Sequence, residues 1–158
     1  MGIQFETDYN METLTAMAKS LRKTVRKKRS RRVHIFAAVV LVLGLLTILA
    51  TTAGGEPLGA SGVVTMLAML VVILVSLFED KLNAWFARKR LLPGTEHAVA
   101  TFEEDGYVSA TGVTESRFSY AQIVAVAETA RYFVFALSSC HTQAYDKRNI
   151  RGGSVEDF

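Results

Sequence analysis

The chain has 158 residues, of which 50% are hydrophobic and 21% are charged, and its formal net charge is +3. This length suits one ordinary domain, but the apolar residues fall in two blocks, which excludes an ordinary soluble protein with an even distribution of hydrophobic residues. The single cysteine, Cys140, excludes an intrachain disulfide framework and fits a reducing compartment.

Residues 1–32 predict a short strand followed by a basic amphipathic helix. Ile3–Thr7 alternates apolar and polar residues, and Asp8 or Asn10 can cap a helix that begins at Met11. We expect the apolar stripe of this helix to pack on a soluble domain or to lie on a membrane surface. The helix is also expected to continue into the first apolar block, because neither Gly nor Pro intervenes. Its basic residues crowd into one run: Lys19, Arg22, Lys23, Arg26, Lys27, Lys28, Arg29, Arg31 and Arg32.

Two apolar blocks, residues 33–52 and 59–78, predict a transmembrane hairpin over residues 33–78. Each block is 20 residues long, and a helix of about 20 residues spans the roughly 30 Å of a hydrocarbon core. Turn-forming residues separate the blocks, with Glu56 as the only charge. Small residues in the blocks favour close packing within the hairpin: Gly44, Gly59, Ser61, Gly62 and Ala68.

The distribution of cations predicts the orientation of this hairpin. Lys and Arg flank both blocks on their outer sides, whereas the connecting turn has neither. Short loops rich in Lys and Arg remain in the cytoplasm, so we expect both termini there. The basic run is therefore interpreted as a topology signal and a contact with anionic lipid headgroups, not as a nucleic-acid arm. The candidate membrane-surface residues are Arg26, Lys27, Lys28, Arg29, Arg31, Arg32, Arg88, Lys89 and Arg90.

Residues 79–95 predict a juxtamembrane helix that ends at Pro93-Gly94. Trp85 and Phe86 lie among cations, which is typical of the interfacial aromatic belt. Packing of this helix against the N-terminal helix is the other interpretation.

Residues 96–158 predict a small antiparallel β domain with short strands and turn residues. We expect one sheet of about five or six strands, which the N-terminal strand can complete, and a terminal helix capped by Ser154 and Asp157. That helix starts as the sequence stops, so either docking stabilises it or a last segment is lacking. The expected strands are His97–Phe102, Tyr107–Thr111, Val113–Phe118, Val124–Thr129, Tyr132–Leu137 (the most central) and Cys140–Tyr145, with a helical turn over the letters SYAQI.

The order of these elements resembles the YcxB-like family of small bacterial membrane proteins. The residues that carry the resemblance are Phe102, Asp105, Gly106, Tyr120, Ile123, Glu128 and the closing letters KRNIRGGSVEDF, with Asp146 at a position where the family usually has proline. The resemblance implies an α+β membrane protein with a two-helix hairpin and a PH-like β domain facing the cytoplasm of a bacterium. It implies no catalytic residues.

No arrangement of residues in the sequence predicts catalysis, a metal site or a cofactor. Cys140 and His141 are neighbours on an expected strand and would point to opposite faces, so we interpret them as a buried thiol beside an exposed ring. The acidic residues Glu103, Glu104 and Asp105 are interpreted as a solvated hairpin tip. His34, His97 and His141 have no ligand partners at helical spacing.

The sequence therefore predicts a non-enzymatic protein in the bacterial cytoplasmic membrane. Its β domain would bind a protein, a peptide or an anionic lipid headgroup at the inner leaflet, with candidate cations in Arg88, Lys89, Arg90, Arg117, Arg131, Lys147 and Arg148. Lipid binding of this kind would weaken with added salt. The alternative is an accessory or structural subunit of a larger membrane complex, such as a transporter or channel.

Overall fold

The computed structural model describes residues 2–55 and 57–158, apart from the side chain of Asp157. Glu56, the expected charge of the connecting turn, and the expected capping carboxylate of Asp157 lie outside this description. The chain forms two units: one contains the residues up to Lys27 together with Asp80–Phe158, and the other is Lys28–Glu79. The protein is thus α+β, with two long apolar helices and antiparallel sheets.

Eight strands and four helices follow one another along the described chain. The helices are α1 (Met11–Lys23), α2 (Lys27–Ala53), α3 (Ala60–Leu77) and α4 (Glu79–Arg90). The strands are β1 (Ile3–Asp8), β2 (His97–Phe102), β3 (Gly106–Thr111), β4 (Glu115–Ser119), β5 (Ala125–Glu128), β6 (Tyr132–Ala136), β7 (Thr142–Asp146) and β8 (Ile150–Arg151).

The strands form two antiparallel sheets, and the prediction of one sheet was wrong. One sheet has the order β4-β3-β2-β1-β8, and the other has the order β5-β6-β7. The N-terminal strand completes the first sheet, as predicted, because Phe5 pairs with Ala100 of β2 and Ile150 of β8. Strand β6 is central, but only in the smaller sheet, where Phe135 pairs with both Val126 and Gln143.

An aromatic core fills the space between the two sheets. Phe5 is fully buried, and its ring lies 5.6 Å from that of Phe102 and 5.9 Å from that of Tyr145, measured between centroids. Phe135 of β6 lies 5.0 Å from Tyr145 in the same core. The other face of β6 carries Val134, which packs under α1, so both faces of this strand are buried. The unit is therefore layered as helix, small sheet and large sheet.

Helix α1 begins where the sequence predicts, because the Asn10 side chain accepts hydrogen bonds from the backbone amides of Glu12 and Thr13 at 2.9 and 3.0 Å. The prediction that this helix continues into the apolar block was wrong. The helix ends at Lys23, and Thr24 has non-helical backbone angles of φ −106° and ψ −93°. Its hydroxyl donates to the carbonyl of Ser20 at 2.8 Å. A local hydrogen bond from a side chain therefore accompanies the end of this helix, where the sequence has no Gly or Pro to mark it.

Helices α2 and α3 form the second unit. They are long and apolar enough to span a membrane, and none of the side chains in the most apolar 18-residue stretch of either helix is buried. Gly44 permits close packing, because a Cβ there would approach the Met69 sulfur to 2.7 Å. Gly59 instead has nothing within 4 Å of such a Cβ, and Gly62 faces only Leu58. Thr47 and Thr65 donate to carbonyls of their own helices, at 2.9 Å each.

The C-terminal part of the chain differs from the prediction at two places. The expected strand from Cys140 begins at Thr142, and the expected terminal helix is a single 3-10 turn over Val155–Asp157. Cys140 is exposed, so the prediction of a buried thiol was wrong. The Ser138 hydroxyl accepts hydrogen bonds from the amides of Cys140 and His141 at 3.2 and 3.0 Å, which bends the chain into a turn.

Candidate functional site

Five of the nine predicted membrane-surface residues are exposed on the first two turns of α2, and we call them the α2 cluster: Lys27, Lys28, Arg29, Arg31 and Arg32. The N-terminus of a helix carries a partial positive charge, so cations there destabilise the helix by about 0.3–1 kcal/mol each. The first turn of α2 contains no acidic residue to offset them. Helix stability therefore does not explain this placement, whereas an anionic partner outside the helix would.

Arg26 lies apart from the α2 cluster. It precedes α2 and donates from Nε to the carbonyl of Ser139 at 2.6 Å, while its Nη2 lies 3.7 Å from the Cys140 sulfur. The side chain thus holds the turn between β6 and β7. The structure gives Arg26 a packing contact inside the β-containing unit, and only the other five cations of this run line the start of α2.

The other three predicted cations are exposed at the C-terminal end of α4, beside exposed aromatic rings. We call Trp85, Phe86, Arg88, Lys89 and Arg90 the α4 cluster. Trp85 and Phe86 are 44% and 52% exposed, and the Lys89 ammonium lies 3.7 Å from the Trp85 ring centroid. Only Ala84 of this helix is buried. Exposed indole and phenyl rings next to cations fit a water–lipid interface better than bulk water.

A groove runs between α1 and the β5–β6 hairpin, and we call it the α1 groove. It encloses about 840 Å³ and is lined from the helix side by Thr15, Lys19 and Lys23, which share one helix face at intervals of four residues. Lys81 of α4 lines the same groove, as do Arg131 and Tyr132 from the hairpin. Four cationic side chains and two acidic ones, Glu12 and Glu128, line it in all.

An ion pair fixes α1 to the first turn of α4 near this groove. The Arg22 guanidinium donates to both carboxylate oxygens of Asp80, at 2.8 and 2.7 Å. The fork of Arg matches a carboxylate in this bidentate geometry, which holds both side chains in register. Lys23 on α1 and Lys81 on α4 are the chain neighbours of the two paired residues, so the pair also positions the lysines that line the groove.

The other cations that the sequence suggested for a binding surface are paired with acids. Arg117 binds Glu103 at 3.0 Å, Lys147 binds Glu128 at 2.5 Å, and Arg131 and Arg148 both bind Asp146. Arg131 also binds Glu12. These four residues therefore contribute much less to an attraction for anions than their formal charges indicate.

Asp146 is the centre of the largest of these ion-pair groups. Its side chain is 4% exposed, and Arg131 donates to it from Nε at 2.9 Å. Burial alone would raise the pKa of Asp146, but hydrogen bonds from Arg131 and Arg148 outweigh burial and hold the pKa below its usual value. Conversely, the hydrogen bond to Asp146 raises the pKa of Arg131. This group is a structural element of the fold.

Histidine, cysteine and acidic residues do not converge on a shared centre in the described parts of the chain. Residues 2–55 and 57–158 contain no group of three or more such side chains that could hold a metal ion. His97 pairs with Asp8 at 2.8 Å, and Glu103 at the β2–β3 tip is exposed.

Sequence reasoning missed the α1 groove. The signal was present in α1, because Lys19 and Lys23 stand four residues apart on a predicted helix. What the sequence could not show was the β5–β6 hairpin on the opposite wall. The chain matches no protein-family model, no curated protein and no solved structure.

Proposed function

We propose that this is an integral membrane protein of the bacterial cytoplasmic membrane that presents a PH-like β domain at the inner leaflet, where it binds anionic lipid headgroups or a membrane-associated protein. The observation that carries the proposal is the α2 cluster, because its five exposed cations occupy a helix end that disfavours them and directly precede a long apolar segment. The α4 cluster follows the second apolar helix in the same way.

The pairing of β1 with β2 supports a topology with both termini on one side. Strand β1 precedes both apolar helices and β2 follows them, yet Ile3 pairs with Phe102 and Asp8 with His97 in one sheet. If the helices cross a membrane, the chain must therefore return to the side on which it began. The cations on both outer flanks favour the cytoplasmic side.

The internal hydrogen bonds of α2 and α3 support insertion in lipid. The hydroxyls of Thr47, Thr51, Thr52 and Thr65 all donate to carbonyls of the helices that carry them. Hydrocarbon offers no hydrogen-bond partner, so each polar group in it must find one within the protein. The two antiparallel sheets packed on an aromatic core support the PH-like interpretation of the β domain, whose closing helix is here only one 3-10 turn.

The proposal predicts a preference for anionic lipid that depends on the α4 cluster. The protein would be reconstituted in phosphatidylcholine bilayers, and electron paramagnetic resonance would give the association of spin-labelled phosphatidylglycerol relative to spin-labelled phosphatidylcholine. We expect preference for phosphatidylglycerol at low salt. The R88Q/K89Q/R90Q variant should reduce it about fivefold or more, since each cation near an anionic surface contributes about 1 kcal/mol.

A matched control removes the same number of charges from the β domain. Arg117, Arg148 and Arg151 are exposed and paired with Glu103, Asp146 and Glu6, so R117Q/R148Q/R151Q should leave the lipid preference nearly unchanged. A preference that does not weaken with added salt, or that both triple variants reduce equally, would contradict the proposal.

A second candidate is an accessory or structural subunit of a larger membrane complex. The apolar side chains of α2 and α3 are exposed, and either lipid or the helices of other subunits can cover them. Coverage by other helices would favour this second function. Crosslinking in native membranes separates the two functions: discrete larger species would support the subunit, and a uniform monomer would exclude it.

A further inference from the structure

The lining of the α1 groove has the composition of an anion-binding site. A general attraction between a basic surface and an anionic membrane would not require such a groove. Lys19 and Lys23 are both exposed, and none of the acidic side chains that the structure describes pairs with either of them. Like charges four residues apart on a helix repel each other and destabilise it. An anion held between the two ammonium groups would remove that repulsion.

The two acids in the groove do not neutralise these lysines. Glu12 is bound by Arg131, and Glu128 is bound by Lys147. Arg131 is itself paired with Glu12 and Asp146, so the charge that the groove offers to an anion comes mainly from Lys19 and Lys23.

The position of the groove along the chain indicates where its anion comes from. Lys23 stands four residues before the first residue of α2, and Lys81 stands four residues after the last residue of α3. Lys81 also stands three residues after Phe78, the last residue of the second apolar block, and three residues of chain reach at most about 11 Å. The headgroup layer of a bilayer is about 5–8 Å thick on each side of the hydrocarbon core, so the chain keeps this part of the groove lining near the depth of the lipid phosphates.

We propose that the α1 groove is a specific binding site for the phosphate-bearing headgroup of an anionic phospholipid, held between Lys19 and Lys23. The site rests on the proposed membrane location, but it is separate from the α2 and α4 clusters. Those clusters attract an anionic surface as a whole, whereas the groove holds one headgroup.

The test compares the full-length protein with two double variants that lose equal charge. The K19Q/K23Q variant changes the groove, and the R117Q/R151Q variant changes two exposed arginines of the β domain that are paired with Glu103 and Glu6. Each protein would be released from detergent micelles that contain equal amounts of phosphatidylglycerol and phosphatidylcholine, and native mass spectrometry would count the retained lipids. We expect one phosphatidylglycerol on the wild type and on R117Q/R151Q, and at least tenfold less on K19Q/K23Q.

A charge-preserving variant separates binding from folding. K19R/K23R should retain the lipid, so loss in K19Q/K23Q together with retention in K19R/K23R supports the site. Equal retention or equal loss in K19Q/K23Q and R117Q/R151Q would overturn the groove as a specific site, and equal retention would leave the proposed function standing. Absence of any phosphatidylglycerol preference in the wild type would overturn both.

A second experiment distinguishes a soluble phosphate compound from a lipid as the ligand of the groove. Calorimetric titration of the wild type in phosphatidylcholine nanodiscs with glycerophosphoglycerol, the deacylated form of phosphatidylglycerol, measures binding of the headgroup without its acyl chains. We expect binding at least tenfold weaker than that of the lipid, and loss of it in K19Q/K23Q. Tight binding of glycerophosphoglycerol without retention of phosphatidylglycerol would overturn the lipid as the source.

Discussion

At the scale of single residues, Asp146 connects three parts of the β domain. Its backbone amide donates to the Thr7 hydroxyl of β1 at 3.0 Å, and its carboxylate accepts from Arg131 and from the backbone amide of Arg148. A carboxylate with several donors is stabilised in its charged form. Folding is therefore linked to the ionisation of this one side chain.

The lowered pKa of Asp146 predicts the pH dependence of stability. The folded-state pKa lies below the value of the unfolded chain, so the stabilisation is present above about pH 4 and is lost as the pH falls through the folded pKa. We expect D146N to lower the free energy of unfolding at pH 7 by about 2 kcal/mol and to flatten its decline between pH 5 and pH 3. Pulse proteolysis in urea would measure both effects.

The E103Q variant is the control, because it breaks the pair with Arg117 in which both side chains are at least half exposed. Exposed pairs contribute about 0–1 kcal/mol, so E103Q should change stability little and keep the wild-type pH dependence. A D146N variant as stable as the wild type at pH 7 would show that the group around Asp146 does not stabilise the fold.

The residue scale also shows where prediction from sequence stops. The sequence predicted a strand over Cys140–Tyr145, directly after the turn at Ser138-Ser139, but the Ser138 hydroxyl binds two amides and extends the turn to His141. Ser is compatible with both strand and turn, and only the surrounding chain decides between them. Hence the burial of Cys140 was mispredicted although β7 was found.

At the scale of elements, β1 is the piece on which the larger sheet depends. It lies between β2 and β8, and its Phe5 side chain is fully buried among aromatic rings. The sequence predicted β1 from its alternation of apolar and polar residues, because strands with one buried face show a period of two residues. The sequence did not predict that the strands divide into two sheets, because pairing between distant strands leaves no local signal.

Truncation of Phe5 should therefore destabilise the whole β domain. We expect F5A to lower the free energy of unfolding by about 3–5 kcal/mol, the usual cost of removing a buried phenyl ring. Q4A, which changes the neighbouring and only partly buried position of β1, should cost less than about 1 kcal/mol. Limited proteolysis of the β domain in detergent would compare the two, and equal resistance of both variants would argue against a structural role for β1.

At the scale of the whole molecule, the apolar helices were the most predictable part. The expected spans were 33–52 and 59–78. At the turn that joins them, their ends lie within one or two residues of the end of α2 and the start of α3, because length and composition alone decide such segments. The basic residues at the start of α2 were assigned to the preceding helix, since the break at Thr24 has no Gly or Pro to mark it.

The native cysteine offers a direct test of the topology. Cys140 is exposed on the β domain, so a membrane-impermeant maleimide should label it only after cells are permeabilised. Leu58, in the turn between α2 and α3, is 45% exposed, so L58C in a C140A background should be labelled in intact cells. Labelling of Cys140 from outside would reverse the proposed orientation.

The antiparallel pairing of β1 with β2 also orders the steps of biosynthesis. Strand β1 leaves the ribosome early, but its partner emerges only after both apolar helices have been made. During that interval β1 has open edges, which are prone to aggregate. In the proposed topology, a chain whose second helix failed to insert would leave β1 and β2 on opposite sides of the membrane and Phe5 without a core. If the hairpin spans a membrane as proposed, completion of the sheet would report that both helices have been inserted correctly, and quality control could act on every chain that fails.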